Sequence, residues 1–190
     1  MVVSRKHQID VLCVISEDSY KAVCAEYGFD WVMTENNPVG RKINYGISQA
    51  MRYEFDYLML MNSDSVIDPK LLDKVYEPFF DSLNPFFGIS KITYVNFATW
   101  EAREFEYEFS VLGVGKMIHR SVLEKIPAPY PDQKNRGLDD HMMDSLIKSG
   151  YWPTIVKYDG QLAWDFKGSV NIHPWEEFAS KGTKVCYSHA

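Results

Sequence analysis

Apolar and polar positions fall in blocks along the chain. IDVLCVI (9–15) is a near-continuous apolar run rich in Val and Ile, the pattern of a strand buried on both faces of a parallel sheet. SEDS then supplies a turn and a helix N-cap, and YKAVCAEYG (20–28) reads as a short helix closed by Gly28. FDWVMT (29–34) is a second strand, ENNPVGRK (35–42) a loop, and INYGISQAMRY (43–53) a helix with Ile43, Ile47, Ala50 and Met51 on one face. FDYLMLM (55–61) is a third strand. DPKLLDKVYEPFFDSL (68–83) begins a helix with Asp68 at the N-cap and Pro69 at the first helical position, and Pro78 ends or kinks it. FFGISKITYV (86–95) is a strand, whereas 96–109 alternates acidic and aromatic side chains and leaves helix and strand both open. VLGVGKMIH (111–119) reads as a strand with two glycines, RSVLEKI (120–126) as a short helix and PAPYPDQKNRG (127–137) as a loop. LDDHMMDSLIKSG (138–150) is helical, with Leu138, Met142, Leu146 and Ile147 on one stripe and Gly150 at its stop. YWPTIVKYD (151–159) is the last strand expected, and 160–190 reads as irregular.

Strand alternating with helix at this spacing predicts an α/β fold built from βαβ units, with a mostly parallel central sheet flanked by helices. A chain of 190 residues suits one domain with a real core. The composition is 46% hydrophobic and 24% charged, ordinary for a globular protein, while 15% aromatic favours large buried side chains or stacking surfaces. A net charge of −6 is a poor match to a nucleic-acid backbone, although Arg41, Lys42 and 134–136 form local basic runs. Cys13, Cys24 and Cys186 are widely spaced and lack metal-type spacing, which reads as reduced thiols in a cytoplasmic protein, with Cys13 in the core. MVVSRKHQ lacks the apolar segment of a secretory signal, and no run approaches the ~18 apolar residues of a membrane span.

The stretch YLMLMNSDSVIDP (57–69) shifts abruptly from an apolar strand to Asn62, Ser63, Asp64 and Ser65. Turn chemistry explains such residues at a strand exit. So does ligand binding, because open α/β sheets hold ligands at the carboxyl ends of their strands. LDDH likewise places Asp139 and Asp140 in a first helical turn, where they favour the helix dipole or face a site.

Four blocks, NNPVGRKINYGISQAM, DYLMLMNSDSVIDPKLL, LGVGKMIHRSVLEKI and GLDDHMMDSLIKSGY, occur in that order. Together they resemble the GT-A glycosyltransferases, in particular the family-2-like group that uses nucleotide-sugar donors, over roughly residues 9 to 170. The resemblance implies a single GT-A-like domain, with a nucleotide-binding part at about 9–95 and an acceptor-side part at about 96–175. It implies that Ser16, Glu17, Asp30, Lys42, Asn44, Asn62 and Ser63 hold the nucleotide sugar, a UDP-sugar first. Asp64 stands at the second position of the family's DxD motif and would touch Mn²⁺ or Mg²⁺, while Asn62 replaces the first Asp and removes a charge. Such hard cations need only one or two protein carboxylates, because phosphate oxygens and waters complete their shell. His173, or Asp165 in AWDFKGS, takes the place of the family's late metal or phosphate contact. Asp139 and Asp140 match the acidic pair, Asp140 as catalytic base. An acceptor hydroxyl must lose its proton as it attacks, and a positioned carboxylate contributes about 10²–10⁴-fold.

The expected function is a metal-dependent, inverting glycosyltransferase. A nucleotidyltransferase of similar architecture would carry a glycine-rich phosphate loop after the first strand, where this chain reads ISEDSYK. Asn62 supports a third reading, a non-catalytic sugar-nucleotide-binding domain. A glycan or small molecule is the expected acceptor and a modified DNA base the alternative, with KNR meeting phosphate and the segments 96–109 and 127–137 shaping that side. No membrane partner is expected, and a homodimer stays open.

Overall fold

The computed structural model of the protein describes residues 7–168 and 173–185; Cys186 lies outside them. In chain order the elements are β1 (Leu12–Ile15), α1 (Tyr20–Tyr27), β2 (Asp30–Met33), α2 (Val39–Ala50), β3 (Tyr57–Leu60) and β4 (Ser65–Ile67). A π-helical turn (Leu71–Val75) leads into α3 (Glu77–Asp81), β5 (Phe86–Ile89), β6 (Lys91–Asn96), β7 (Ala102–Glu106) and β8 (Lys116–His119). There follow α4 (Arg120–Lys125), α5 (Leu138–Lys148), β9 (Thr154–Val156), β10 (Ala163–Lys167), α6 (Glu176–Ala179) and β11 (Thr183–Val185). Two compact units share these elements: a helical unit of Gln8–Leu58 and Met117–Pro153, and a sheet unit of Met1–His7, Met59–Lys116 and Thr154–Ala190. Among the described residues no helix is long and apolar enough to cross a membrane.

In the helical unit β1 pairs in parallel with β2, Leu12 opposite Asp30 and Ile15 opposite Met33. The expectation that 9–15 is buried on both faces does not hold: only Ile15 of β1 is buried, and Cys13 is half-exposed. Gly28 closes α1 in the left-handed region at φ 66°, as its position after the last apolar residue predicts. α2 buries Ile47 and Ala50 and lies close on β1, for a Cβ at Gly46 would meet Val14 Cγ2 at 2.6 Å. It begins four residues before the expected start at Ile43, inside the segment read as loop. The reason is capping from outside: the Val39 N–H donates to Asn135 Oδ1 (2.8 Å) and the Gly40 N–H to the Lys134 carbonyl (3.0 Å), so donors orphaned at a helix start are satisfied by the 130–137 loop.

The sheet unit contains a five-stranded sheet in the order β11-β7-β6-β10-β4. Only β6–β10 is parallel in it; β4–β10, β6–β7 and β7–β11 are antiparallel. A second pair, β5–β9, is parallel. The sheets are therefore mixed, which corrects the expectation of a mostly parallel sheet. The core is aromatic, with Tyr76, Phe86, Phe87 and Ile89 fully buried and Tyr76 meeting Phe87 edge-on at 5.0 Å. The helix expected over 68–83 is broken into the π turn and α3, with Pro78 in the first turn of α3. Pro78 thus opens a new helix, where its missing N–H costs nothing. The open segment 96–109 contains strand β7, and the strands expected at 111–119 and 151–159 shrink to β8 and β9. The tail read as irregular contributes β10, α6 and β11.

The β6–β7 turn carries one strained residue, Trp100 at φ 60°, where a side chain costs about 1–2 kcal/mol. Trp100→Gly is expected to be more stable than Trp100→Ala by about 1 kcal/mol, read as a higher urea midpoint at equal slope. Equal midpoints would show that the turn is unstrained.

Candidate functional site

Each unit holds a cluster of chemically competent side chains. In the helical unit Lys42 on α2 donates to Ser16 Oγ just past β1 and to Asn36 Oδ1, both at 2.9 Å. Burial lowers the Lys42 pKa, and among the described residues no carboxylate pairs with it. A partly desolvated ammonium held only by neutral oxygens leaves its charge uncompensated, which an incoming anion would correct. The structure thus brings together two residues, Ser16 and Lys42, that sequence analysis placed at the donor.

Asn44 has a different occupation. Its amide donates to the Tyr130 carbonyl and to Asp132 Oδ1, both at 2.8 Å, and its oxygen accepts from the Tyr130 N–H at 3.1 Å. Both amide hydrogens are therefore taken up in clamping the 130–132 segment to α2. A Cβ at Gly40 would lie 2.0 Å from the Pro131 carbonyl oxygen, so only glycine admits this loop. Glu17 is exposed, and Asp30 is exposed at the start of β2, where its hydrogen bond pushes the Tyr53 phenol up.

At the start of α5, Gly137 adopts φ 64°, Asp139 is half-buried and Asp140 is exposed. Burial first, then the charge of Asp139, holds the Tyr130 phenol well above its usual pKa. His141 Nδ1 lies 2.8 Å from the Gly137 carbonyl oxygen, and its Nε2 meets Lys134 Nζ. An ammonium only donates, so Nε2 accepts and Nδ1 carries the hydrogen toward Gly137. Asp140 is the carboxylate of this turn that no hydrogen bond or ion pair engages among the described residues.

In the sheet unit Asn62 and Ser63 are exposed at a turn closed by the Ser65 N–H donating to the Asn62 carbonyl at 3.2 Å. Asp64 follows in that turn, and its Oδ2 accepts from Lys167 Nζ at 3.1 Å. The same ammonium lies 2.8 Å from Asp165 Oδ1, close enough for an ion pair but not aligned for a hydrogen bond, since Oδ1 receives none. Asp165 and Lys167 sit two apart on β10 and so share one face, both buried. Asp165 stands between Ser65 on β4 and Tyr94 on β6. Its pKa is pushed up to about 7, by burial first and by the charge of Asp64 next, with Lys167 opposing.

One ammonium therefore serves two carboxylates, and the buried Ser65 hydroxyl beside them makes no hydrogen bond among the described residues. Carboxylate and hydroxyl oxygens are hard donors, so the residue types fit a divalent cation of the Mg²⁺ or Mn²⁺ kind. No three His, Cys, Asp or Glu side chains gather to hold a metal among the described residues, so ligand oxygens would have to complete its shell. His173 is engaged elsewhere, with Nδ1 2.9 Å from Glu177 Oε2. Lys167 escaped sequence analysis; a polar residue repeated at i and i+2 in AWDFKGS was the available signal.

The chain has a GT-A-like fold, α/β with mixed sheets and flanking helices. In particular it is similar to the crystal structure of S. aureus TarS 1-349, at a TM-score of 0.60 and 14% identity over 83% of this chain and 51% of that one. The chain thus spans about half of the TarS fragment. A looser likeness, to CMP:2-keto-3-deoxy-manno-octonic acid synthetase complexed with CTP, has a TM-score of 0.47 at 14% identity over 81% of this chain and 75% of that one, and adds nothing to the assignment. No family model and no curated protein sequence matches the chain.

The Asp165 carboxyl makes stability pH-dependent with a definite sign. Its folded pKa of about 7 exceeds the ~3.9 of an unfolded carboxyl, so the folded state holds a proton that the unfolded state has lost between those values. Its contribution is full below about pH 4 and falls as pH rises toward about 7, by at most ~1.4 kcal/mol per pH unit. With chelator present, urea midpoints of the wild type are expected to decline over that window more steeply than those of Asp165→Asn. Parallel profiles would show that Asp165 is ionised throughout.

Proposed function

We propose that the protein is a glycosyltransferase that moves a sugar from a nucleotide-sugar donor, UDP-sugars first, to an acceptor hydroxyl with inversion. The observation that carries this reading is the meeting of Lys42 with Ser16 beyond β1 in a GT-A-like fold, an ammonium without a counter-charge. Lys42 and Ser16 hold a donor phosphate, with Glu17 and Asp30 toward the nucleoside. Asn44 supports them indirectly, by fixing the loop that caps α2. Asn62 and Ser63, exposed on their turn, contact the donor's ribose or sugar.

Asp64 with Asp165 would hold Mn²⁺ or Mg²⁺, with Lys167 fixing the Asp64 carboxylate. Such a cation, when bound, neutralises the charge that gathers on the leaving diphosphate. Asp140 accepts the proton of the acceptor hydroxyl as its oxygen bonds to the anomeric carbon. The bond from that carbon to the diphosphate breaks, and its electron pair leaves with the phosphate oxygen, so no covalent enzyme intermediate arises. Asp139, half-buried beside Tyr130, orients the helix start. The protein is placed in the cytoplasm in this reading. Asn62 in place of a first DxD carboxylate is the feature that favours the second reading, a domain that binds nucleotide sugars without turning them over.

The test is UDP release from a panel of UDP-sugars with Mn²⁺. The wild type is expected to turn over at least one donor, and Asp140→Asn to lower kcat by about 10²–10⁴-fold with little change in donor affinity. A protein that binds a donor and releases no UDP would be a binding domain, and an undiminished Asp140→Asn would remove Asp140 as the base.

A further inference from the structure

The β6–β7 hairpin tip presents two aromatic rings that the core does not use. Phe97 is 67% exposed and Trp100 65% exposed. Their ring centres lie 6.3 Å apart and tilted by 34°, and Phe166 supports Trp100 from the side in an edge contact at 6.2 Å. The tip itself is held fast. Asn96 Oδ1 accepts from the Ala98 and Thr99 N–H groups at 2.8 and 3.1 Å, and the Asn96 carbonyl accepts from the Trp100 N–H at 2.8 Å. The Phe97 N–H donates to the Lys167 carbonyl at 3.0 Å. Trp100 is kept at φ 60°, a backbone conformation that bulky residues avoid. Rigid, exposed and strained aromatics are a preorganised surface: what binds them does not have to order them.

The tip is joined to the carboxylate cluster. Phe97 hydrogen-bonds to the backbone of Lys167, and the Phe166 N–H donates to the Asp64 carbonyl at 2.8 Å. Asp64 is partly accessible, and Glu101 at the foot of the turn is exposed. Aromatic faces carry partial negative charge, so they attract the polarised C–H face of a sugar ring, while neighbouring carboxylates accept hydrogen bonds from its hydroxyls. A phosphate-bearing polymer meets the wrong charge here, next to Asp64 and Glu101 on a chain of net charge −6. A protein partner is no better match, because two rings of about 150–250 Å² each fall well short of the ~800 Å² per side of a stable interface.

We propose that Phe97 and Trp100 form a stacking platform for a saccharide acceptor of the proposed transferase. The inference rests on the glycosyltransferase reading and names its acceptor class. The test titrates the full chain with malto-, cello- and chito-oligosaccharides by calorimetry, alongside UDP on the same preparation. Binding of at least one oligosaccharide is expected, weakened about 10-fold or more in Trp100→Ala and largely restored in Trp100→Phe. Trp152→Ala, which removes a 71% exposed aromatic far from the tip in sequence, is expected to leave it unchanged. Thermal melting shows whether each variant is folded, and a Phe97→Ala variant repeats the test should Trp100→Ala not fold. Oligosaccharide binding that is equal in wild type and both tip variants overturns the platform. So does binding of UDP with no oligosaccharide, or tip-dependent binding of 5-hydroxymethyl-deoxycytidine in place of oligosaccharides. Absence of UDP binding strikes instead at the glycosyltransferase reading, which separates the two failures.

Discussion

A buried ammonium shared between two carboxylates is the interaction on which the sheet unit's chemistry depends. Lys167 reaches Asp64 at 3.1 Å and Asp165 at 2.8 Å, while burial and mutual repulsion push the Asp165 pKa up. Two neighbouring carboxylates in a largely buried place cannot both remain ionised without positive charge, and Lys167 supplies it to both. In the proposed function these oxygens hold a divalent cation and, through it, a diphosphate. The lysine also bears on geometry. Asp64 stands in a turn that on sequence grounds had two readings, and pairing with Lys167 restricts its carboxylate to one orientation.

The helical unit solves a complementary problem. Its candidate donor site needs an uncompensated positive charge, and Lys42 keeps one by pairing with a hydroxyl and an amide instead of a carboxylate. The loop 130–137 then takes over the N–H groups that α2 would otherwise leave bare, through Asn135 and the Lys134 carbonyl. Asn44 and Gly40 exist for that docking: one supplies three hydrogen bonds to the loop, the other yields the space for Pro131.

The α/β class and the order of the early elements were legible because β1, α1, β2 and β3 follow the local rules of apolar run and glycine stop, although Ser19 before α1 makes no side-chain cap. What stayed hidden had non-local causes. α2 starts early because a loop about ninety residues later caps it. β10 was unreadable because Asp165 and Lys167 point inward, inverting the alternation that marks a strand. β4 was masked by the turn residues beside it, and the sheet is mixed because β6–β7 is a hairpin whose tip carries polar and aromatic residues in equal measure. Of the candidate site, Ser16 and Lys42 share a hydrogen bond. Asn44 is engaged in structure, His173 pairs with Glu177, and the partner of Asp64 is a lysine that no motif announced.

The central claim is that the cluster around Asp64 recruits a divalent cation and a nucleoside diphosphate together. Calorimetric titration of UDP with and without Mn²⁺ measures that coupling directly. The claim predicts that Mn²⁺ tightens UDP binding about 10-fold or more, that UDP tightens Mn²⁺ by the same factor, as linkage requires, and that Asp64→Asn abolishes both effects. UDP affinity that is indifferent to Mn²⁺, or coupling that survives in Asp64→Asn, would contradict it.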